Sequence, residues 1–365
     1  MTTTADAPDY NLTCWYLNQR RVIELVGVDA ISPRLQAVER MSSHQQLQHI
    51  AVQSVFKDAI TEWLATNRPP TLGELVISDT LAAGRVFTHY TNWFFKSLTQ
   101  VRRAEERGVT PLPPALAYAQ LDTLRPDLRV ECRFHAEHLT ANSSWTELSG
   151  QKTKFVMGLI TGVNDGLIEA VPYVVSDLAP GFGRSASLIG RAWHTKLEVF
   201  IDQIDSFAAV AETEHPRRRA DLNLLRDIPE ADVKRAIADI LGEPTVPKDW
   251  GGERSDLFTT HVHLAGRRLS TAFAFKGPAK FKPMTMAELG KNGDQIDRLY
   301  TEPADLVVLQ HCHEAAPVRG AMRAYAQRMG DLRLFCIIDG YDTLRLLQAY
   351  GKCDLGTPAP AGTTT

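Results

Sequence analysis

The chain has 365 residues, of which 44% are hydrophobic and 23% are charged, and its formal net charge is -3. A chain of this length exceeds what one hydrophobic core usually supports, so two domains are expected. The charge excludes a globally basic protein that coats nucleic acid, but it leaves room for a local basic groove.

Sequence signals for export, membrane insertion and disulfide bonding are missing from the chain. No run approaches the roughly 18 to 20 apolar residues of a membrane span, and the first residues, MTTTADAPDY, lack the basic and apolar regions of a secretory signal. The five cysteines are scattered and odd in number, which argues against a disulfide framework and a structural zinc site. We therefore expect a cytoplasmic protein with no membrane partner and with loose polar tails at 1–9 and 354–365.

Residues 10–213 mix strand and helix patterns, which predicts an N-terminal α+β domain. The pair Asp165-Gly166 interrupts one apolar run and favours a tight hairpin turn. No ligand motif occurs here, so we expect this domain to sense a signal, to bind a partner protein or to form homo-oligomers. In chain order the predicted elements are a hairpin over Tyr10–Val28, helices over Pro33–Thr66 and Ala83–Arg107, strands over Leu128–His138 and Phe155–Val175, and a helix over Leu188–Ala211.

The segment 214–226 is the predicted linker. It opens with Glu-His-Pro-Arg-Arg-Arg at 214–219, a polar run with a proline of the kind that separates folded domains. Phosphate contact by the three arginines is an alternative, but a solvated linker is the simpler interpretation.

Residues 227–353 show a regular succession of elements and predict an α/β domain with a central mixed sheet flanked by helices. The predicted order is a helix from Pro229 to Gly242, a hairpin of strands Leu257–Leu264 and Leu269–Phe275, a helix over Asp294–Tyr300, a strand over Ala304–Leu309, a helix containing Val318 and Met329, a strand over Leu332–Ile338 and a helix from Asp342. The hairpin brings the start of its first strand beside the end of its second.

Asp256 and Lys276 lie at these two neighbouring strand ends. A carboxylate can hold a hard divalent cation, and a lysine beside it can orient the attacking water or stabilise the negative charge that develops during phosphodiester hydrolysis. The pair therefore suits metal-dependent cleavage of a phosphodiester bond.

Together with the order of elements, Asp256 and Lys276 make residues 227–353 resemble the PD-(D/E)XK (restriction-endonuclease-like) nuclease superfamily. That family places an aspartate at the start of one strand and an acid-x-lysine motif on the neighbouring strand. The resemblance implies an endonuclease that hydrolyses DNA with Mg²⁺ or Mn²⁺, as an effector of a prokaryotic defence or restriction system. RNA is left open as a substrate.

The chain departs from the family pattern in two ways. Ala274 stands where the family has its second acid, and no clear strand precedes Asp256. These departures indicate an alternative function, in which a catalytically inactive nuclease fold binds nucleic acid or a protein partner.

Glu253 is the nearest acid that can replace the missing one. It follows Gly251 and Gly252, whose backbone freedom allows this segment to bend towards the strand ends. We therefore expect Glu253 to act with Asp256 as a metal ligand and to take part in catalysis. Glu230 or Asp232, in the preceding helix, are more distant substitutes.

A basic loop follows the hairpin. Lys280, Lys282 and Lys291 are expected to contact phosphate, although a role as ordinary solvated lysines fits them equally well. Gln295 resembles a polar residue that many family members direct from this helix towards the site. Capping of the helix by Asp294 is the alternative interpretation.

Two histidine pairs have spacings that could suit a metal, but the sequence favours simpler roles for both pairs. His261 and His263 are assigned to an exposed hairpin face, because no third ligand is evident. His311 and His313 are assigned to a loop at the end of a buried strand.

Overall fold

The computed structural model describes residues 10–41, 45–181, 186–246, 254–289 and 294–355. These residues divide into two compact units. The N-terminal unit runs to Gly190 and includes residues 327–332, and the C-terminal unit consists of the remainder. Both contain a mixed sheet with helices, which confirms the expected mixed α/β class. Among the described residues, no helix has both the length and the apolar character needed to cross a membrane.

The N-terminal unit begins with a strand and helices and continues with a series of long strands. Its elements are β1 (Tyr10–Leu17), α1 (Gln19–Val26), α2 (Val28–Met41), α3 (Gln45–Asn67), α4 (Leu72–Ile77), β2 (Val86–Lys96), α5 (Leu98–Glu106), β3 (Ala115–Gln120), β4 (Arg129–Phe134), α6 (Ser144–Glu147), β5 (Gly150–Asn164), β6 (Leu167–Pro180) and the start of α7 (Ala186–Ala192).

The sheet of this unit closes on itself. β2, β3 and β4 pair in antiparallel order, β4 pairs in parallel with the start of β6, and β6 pairs with β5, which returns to β2. β1 adds to the far half of β6. Side chains on one face, including Trp93, Ala117, Val130 and Phe134, are buried. Because side chains alternate along a strand, the residues between them lie on the outer face of the closed sheet.

The helix predicted over Ala83–Arg107 is wrong, because its first half is β2. Phe87, Trp93 and Phe95 are buried at alternate positions, and this two-residue period in an aromatic and β-branched run is that of a strand. Ser97, with φ of 71°, separates β2 from α5. The predicted end of the helix near Gly108 is confirmed, because α5 ends at Glu106.

Two other predicted elements of the first 213 residues differ from the structure. The second strand expected in Tyr10–Val28 is helix α1, because the side chain of Asn18 accepts a backbone N–H of its first turn. The helix expected over Leu188–Ala211 is interrupted where Lys196 and Leu197 adopt φ of 57° and 71°. Short 3-10 turns follow in place of a continuous helix.

The C-terminal unit contains one four-stranded sheet in its described residues, in the order β10-β9-β8-β7. β7 is antiparallel to β8, whereas β8, β9 and β10 are parallel. The elements are α8 (Glu230–Ile240), β7 (Leu257–Leu264), β8 (Arg267–Lys276), α9 (Asp294–Tyr300), β9 (Leu306–His311), α10 (Arg319–Ala326), β10 (Leu334–Ile338) and α11 (Gly340–Ala349). The predicted succession of elements is confirmed, and the carboxyl ends of three strands meet where β7 begins.

The segment 214–226, predicted as a linker, lies inside the C-terminal unit. Residues Arg219–Leu225 form a 3-10 helix, and Leu222 and Leu225 are buried. An open linker would leave such leucines in water. The two compact units divide after Gly190, which precedes the predicted boundary at 214–226. The predicted boundary stays a prediction, and limited proteolysis tests it.

Glu198 fixes the entry of the chain into the C-terminal unit. Its side chain is 4% exposed and accepts a hydrogen bond from Arg319 Nε at 2.6 Å, while Arg323 lies 3.5 Å away. The next residue, Val199, donates its N–H to Phe335 in β10 at 2.7 Å. A buried carboxylate of this kind depends on its cations, because nothing else offsets the loss of water.

We predict that Glu198→Ala lowers the free energy of unfolding by about 2 to 3 kcal/mol, because Arg319 and Arg323 lose the carboxylate between them. Urea titration followed by circular dichroism measures the loss. Asp239→Ala, which removes an exposed partner of Lys352, is the matched control and should cost less than about 1 kcal/mol. Equal effects of the two substitutions would contradict the prediction.

Candidate functional site

Asp256 lies directly beside the backbone that carries Lys276. Its N–H donates to the carbonyl of Phe273 at 2.8 Å, continuing the pairing of β7 with β8. Its Oδ2 accepts the N–H of Phe275 at 2.6 Å. The hairpin thus brings Asp256 and Lys276 to the same end of the sheet, as the sequence indicated.

Glu230, the first residue of α8, reaches the same strand end. Its Oε2 accepts the N–H of Gly277 at 2.6 Å. A Cβ on residue 277 would stand 2.6 Å from the Cβ of Glu230, so only glycine permits this approach. Asp232, the other acid considered in α8, is half-exposed and pairs with Arg235 instead. The signal in the sequence that could have found Glu230 is the glycine directly after Lys276, since a glycine there admits a close neighbour.

The two carboxylates flank Lys276 along one edge of β8. In a strand, the N–H groups of residues i and i+2 point to the same edge, and here those groups belong to Phe275 and Gly277. Two residues of strand span roughly 6 to 7 Å. The backbone of the half-buried Lys276 therefore lies between two successive N–H donors that are occupied by carboxylates. Within the described residues, Lys276 forms no ion pair with either carboxylate.

One or two carboxylates with water and substrate phosphate are the usual way in which proteins hold Mg²⁺. Asp256 and Glu230 fit that donor set. Among the described residues there is no group of three or more histidine, cysteine, aspartate or glutamate side chains with metal-site geometry. Ala274, two residues before Lys276, is 2% exposed.

Glu253 and Lys291, two residues assigned to the site from the sequence, lie outside the described residues. Their predicted roles in metal binding and phosphate contact stay predictions.

The remaining predicted phosphate-binding residues have different surroundings. Lys280 is exposed at the end of a 3-10 turn that starts at Pro278, directly after the strand end. Lys282 is also exposed, but it pairs with Glu288 at 3.5 Å. Gln295 is half-buried in the first turn of α9. Lys280 is thus the lysine of this loop nearest in sequence to the strand end.

Two buried histidines adjoin this strand end. His311 is the β9 residue in register with Lys276, and it is 3% exposed. The N–H of His313 donates to His311 Nδ1 at 3.0 Å, and the N–H of Glu314 donates to His313 Nδ1 at 2.8 Å. As an acceptor at Nδ1, a neutral His313 carries its proton on Nε2, whereas His311 Nδ1 also lies 3.1 Å from the carbonyl oxygen of His313. Burial lowers the pKa of both imidazoles, which favours the neutral form.

The start of α11 holds the histidine loop in place. Gly340 donates its N–H to the carbonyl of His313 at 2.9 Å, and a Cβ there would lie 2.8 Å from the carbonyl oxygen of Cys312. The side chain of Asp339 caps the helix by accepting the N–H groups of Tyr341 and Asp342. The sequence correctly placed this loop at a strand end but missed its burial.

Asp342 adds a largely buried acid next to that cap. Burial, with a smaller contribution from the charge of Asp339, raises its pKa to about 6, although His215 and Arg345 act in the opposite direction. The side chain is 22% exposed. This end of the sheet therefore contains a carboxyl that titrates near neutral pH.

Comparison with known proteins adds no assignment, because no protein-family model, curated protein or solved structure matches the chain. The chemistry of the site must therefore be argued from its own residues.

We predict that Gly277→Ala destabilises the protein by about 1 to 3 kcal/mol, because the new Cβ meets the Cβ of Glu230. Glu230→Ala keeps that Cβ and should not relieve the cost, whereas Glu230→Gly removes it and should. A double-mutant cycle by urea unfolding measures this difference. Equal coupling with both Glu230 variants would show that the two residues are not in close contact.

We also predict that Asp342→Asn changes how stability depends on pH. Between about pH 4 and 6 the folded protein holds a proton that the unfolded chain has released, so the free energy of unfolding falls as the pH rises. The variant has no carboxyl at residue 342, so its free energy of unfolding does not fall in this way. It should be more stable than the parent by about 2 kcal/mol above pH 6, and the gap should close towards pH 4. A gap that is constant from pH 4 to 8 would contradict the prediction.

Proposed function

We propose that the C-terminal unit is a metal-dependent nuclease that hydrolyses phosphodiester bonds of DNA with Mg²⁺ or Mn²⁺. The observation that supports this most directly is the placement of Asp256 and Glu230 on the backbone N–H groups on either side of Lys276. The proposal includes the restriction-endonuclease-like identity of this unit and a role in prokaryotic defence or restriction. RNA stays open as a substrate.

In this proposal Asp256 and Glu230 hold the metal ion. A bound divalent cation supplies Lewis-acid activation of the phosphodiester and lowers the pKa of coordinated water. The backbone N–H groups of Phe275 and Gly277 fix the orientation of both carboxylates before substrate arrives. The site thus needs little reorganisation when it binds a cation.

Lys276 is the residue assigned to the reacting groups. Its position in the strand, between the two residues whose N–H groups hold the carboxylates, suits either the orientation of the attacking water or the stabilisation of negative charge on the phosphoryl oxygens. Lys280, exposed directly after the strand end, is assigned to a neighbouring phosphate of the substrate. Lys282 and Gln295 are assigned to the phosphate backbone of the same substrate. Lys282 would first have to leave its ion pair with Glu288.

A second candidate function is nucleic-acid or protein binding by an inactive nuclease fold. The observation that favours it is Ala274, which removes the acid that related nucleases have two residues before their lysine. Glu253 and Glu230 are the two acids proposed to replace the missing metal ligand. Metal binding by either of them favours the active nuclease, and metal binding by neither favours the inactive fold.

We predict that Asp256→Asn and Glu230→Gln weaken Mn²⁺ binding, measured by electron paramagnetic resonance, by about tenfold or more, and abolish cleavage. Lys276→Ala should keep Mn²⁺ binding and lower cleavage about 100-fold or more. Substrates are plasmid, linear and single-stranded DNA and RNA, each with Mg²⁺, Mn²⁺ or EDTA.

Asp232→Asn is the matched control, because Asp232 lies in the same first turn of α8 but pairs with Arg235. It should bind metal and cut like the parent. Glu253→Gln tests the other acid: loss of metal binding there, with Glu230→Gln unchanged, would move the second ligand to Glu253. Metal-dependent cleavage that survives Asp256→Asn or Lys276→Ala would remove the assignment. Nucleic-acid binding without cleavage in the parent, lost when Lys276 and Lys280 are both changed to alanine, would establish the second candidate.

A further inference from the structure

Two aromatic rings lie side by side on the outer face of the closed sheet in the N-terminal unit. Phe94 of β2 and Tyr118 of β3 are cross-strand partners, with ring centroids 5.1 Å apart and ring planes 13° apart. Both side chains are partly exposed. The buried face of these strands is filled by other residues, among them Trp93, Phe95 and Ala117. The stacked pair is therefore an addition to the outer surface and is not part of the core.

Cations surround the stacked pair. Lys96 Nζ lies 4.8 Å from the centroid of the Tyr118 ring, and the guanidinium carbon of Arg129 lies 5.5 Å from it. Arg133 is exposed on the same face of β4, where its strand partner is Leu116 of β3. We call Phe94, Lys96, Tyr118, Arg129 and Arg133 the aromatic-basic patch.

The patch is locally positive although the chain as a whole has a formal net charge of -3. Glu131 is the acid that faces Tyr118 across β4, and it pairs with Arg129 at 2.5 Å. Its side chain is 16% exposed, less than the 43% of Arg129.

Other acids also lie near Arg129. Glu169 of β6 is in register with Glu131. Three aspartates line a cavity with Arg129, namely Asp122, Asp127 and Asp165. In the part of the chain that the structure describes, Lys96 and Arg133 form no ion pair, so the available positive charge of the patch lies mainly at these two residues.

Partly exposed rings beside cations match the chemistry of a single-stranded nucleic acid. Unpaired bases stack on aromatic side chains whatever their sequence, and the neighbouring phosphates pair with lysine and arginine. A base pair in a duplex is already stacked on both faces, so a duplex would contact this surface mainly through its phosphates. An acidic protein segment would use the cations but would gain little from the rings.

We propose that the aromatic-basic patch of the N-terminal unit binds single-stranded nucleic acid, with bases stacking at Phe94 and Tyr118 and phosphates at Lys96, Arg129 and Arg133. DNA and RNA present the same bases and phosphates to this patch, so both belong to the proposed ligand class. The inference stands apart from the nuclease proposal, because it uses residues of the N-terminal unit alone and requires no metal.

The test is binding of a fluorescently labelled oligothymidylate of about 20 nucleotides to the full chain, followed by anisotropy in EDTA to prevent metal-dependent cleavage. Oligouridylate and a duplex of equal length are the other two arms. Tyr118→Ala and Phe94→Ala should each weaken binding by about fivefold to 100-fold, whereas Tyr118→Phe keeps the ring and should bind like the parent. The two single-stranded arms decide between DNA and RNA.

The cations are tested by salt dependence. Lys96→Glu combined with Arg133→Glu should abolish binding at about 0.15 M salt, and Lys96→Ala alone should reduce the slope of log affinity against log salt by about 0.7. Phe200→Ala is the matched control, because Phe200 is an aromatic residue of the C-terminal unit that is 46% exposed. It should leave binding unchanged. Thermal unfolding of each variant verifies that the closed sheet is intact.

Absence of binding to both single strands would overturn the proposal, and so would equal affinity for the duplex. Binding that depends on Lys96 and Arg133 but not on the two rings would indicate an acidic ligand in place of stacked bases, and would also overturn it. The binding assay is carried out in EDTA, and its expected readout depends on residues of the N-terminal unit alone. A failed nuclease assay therefore leaves this inference standing, and a failed binding assay leaves the nuclease proposal standing.

Discussion

The candidate site of the C-terminal unit depends on two backbone donors at the end of β8. Phe275 and Gly277 present their N–H groups at the edge shared with β7, where β7 has only begun, and the carboxylates of Asp256 and Glu230 accept them. A strand end with unpaired donors is costly when it is buried, so the two acids stabilise the fold as well as define the site. The same constraint requires glycine at residue 277, because a larger residue would displace Glu230.

The neighbouring strand end obeys a related constraint. The parallel arrangement of β8, β9 and β10 gathers three carboxyl ends, and the chain must turn tightly there to enter α11. His311 and His313 satisfy backbone N–H groups with their Nδ1 atoms, and Gly340 lets α11 begin against their loop. The Nδ1 atom of each buried ring has a hydrogen-bond partner within the loop, which offsets part of the cost of burying it. This loop follows β9, which pairs with the end of β8 at Lys276.

In the N-terminal unit, closure of the sheet decides which residues are available to a ligand. One face of each strand must fill the interior, so the side chains of the opposite face are the ones that solvent and ligands can reach. On β2, β3 and β4 that outer face holds two stacked rings and three cations, of which Arg129 is paired with Glu131. The two units thus present different chemistry: two carboxylates held by the backbone on either side of a lysine in one, and aromatic rings beside cations in the other.

The sequence by itself determined the elements whose pattern is local: α8 with its apolar face, the hairpin of β7 and β8, the buried run of β9, and the placement of Asp256 and Lys276 at adjoining strand ends. It failed where long-range pairing overrides a local pattern, as in β2, whose aromatic run had been assigned to a helix, and in the short β3, which had no signal of its own. Only the tertiary structure selected Glu230, because a helix start and a strand end 47 residues apart meet through one glycine. Likewise, only the closed sheet brought Phe94 beside Tyr118, because the alternating pattern of a strand does not specify which distant strand it pairs with.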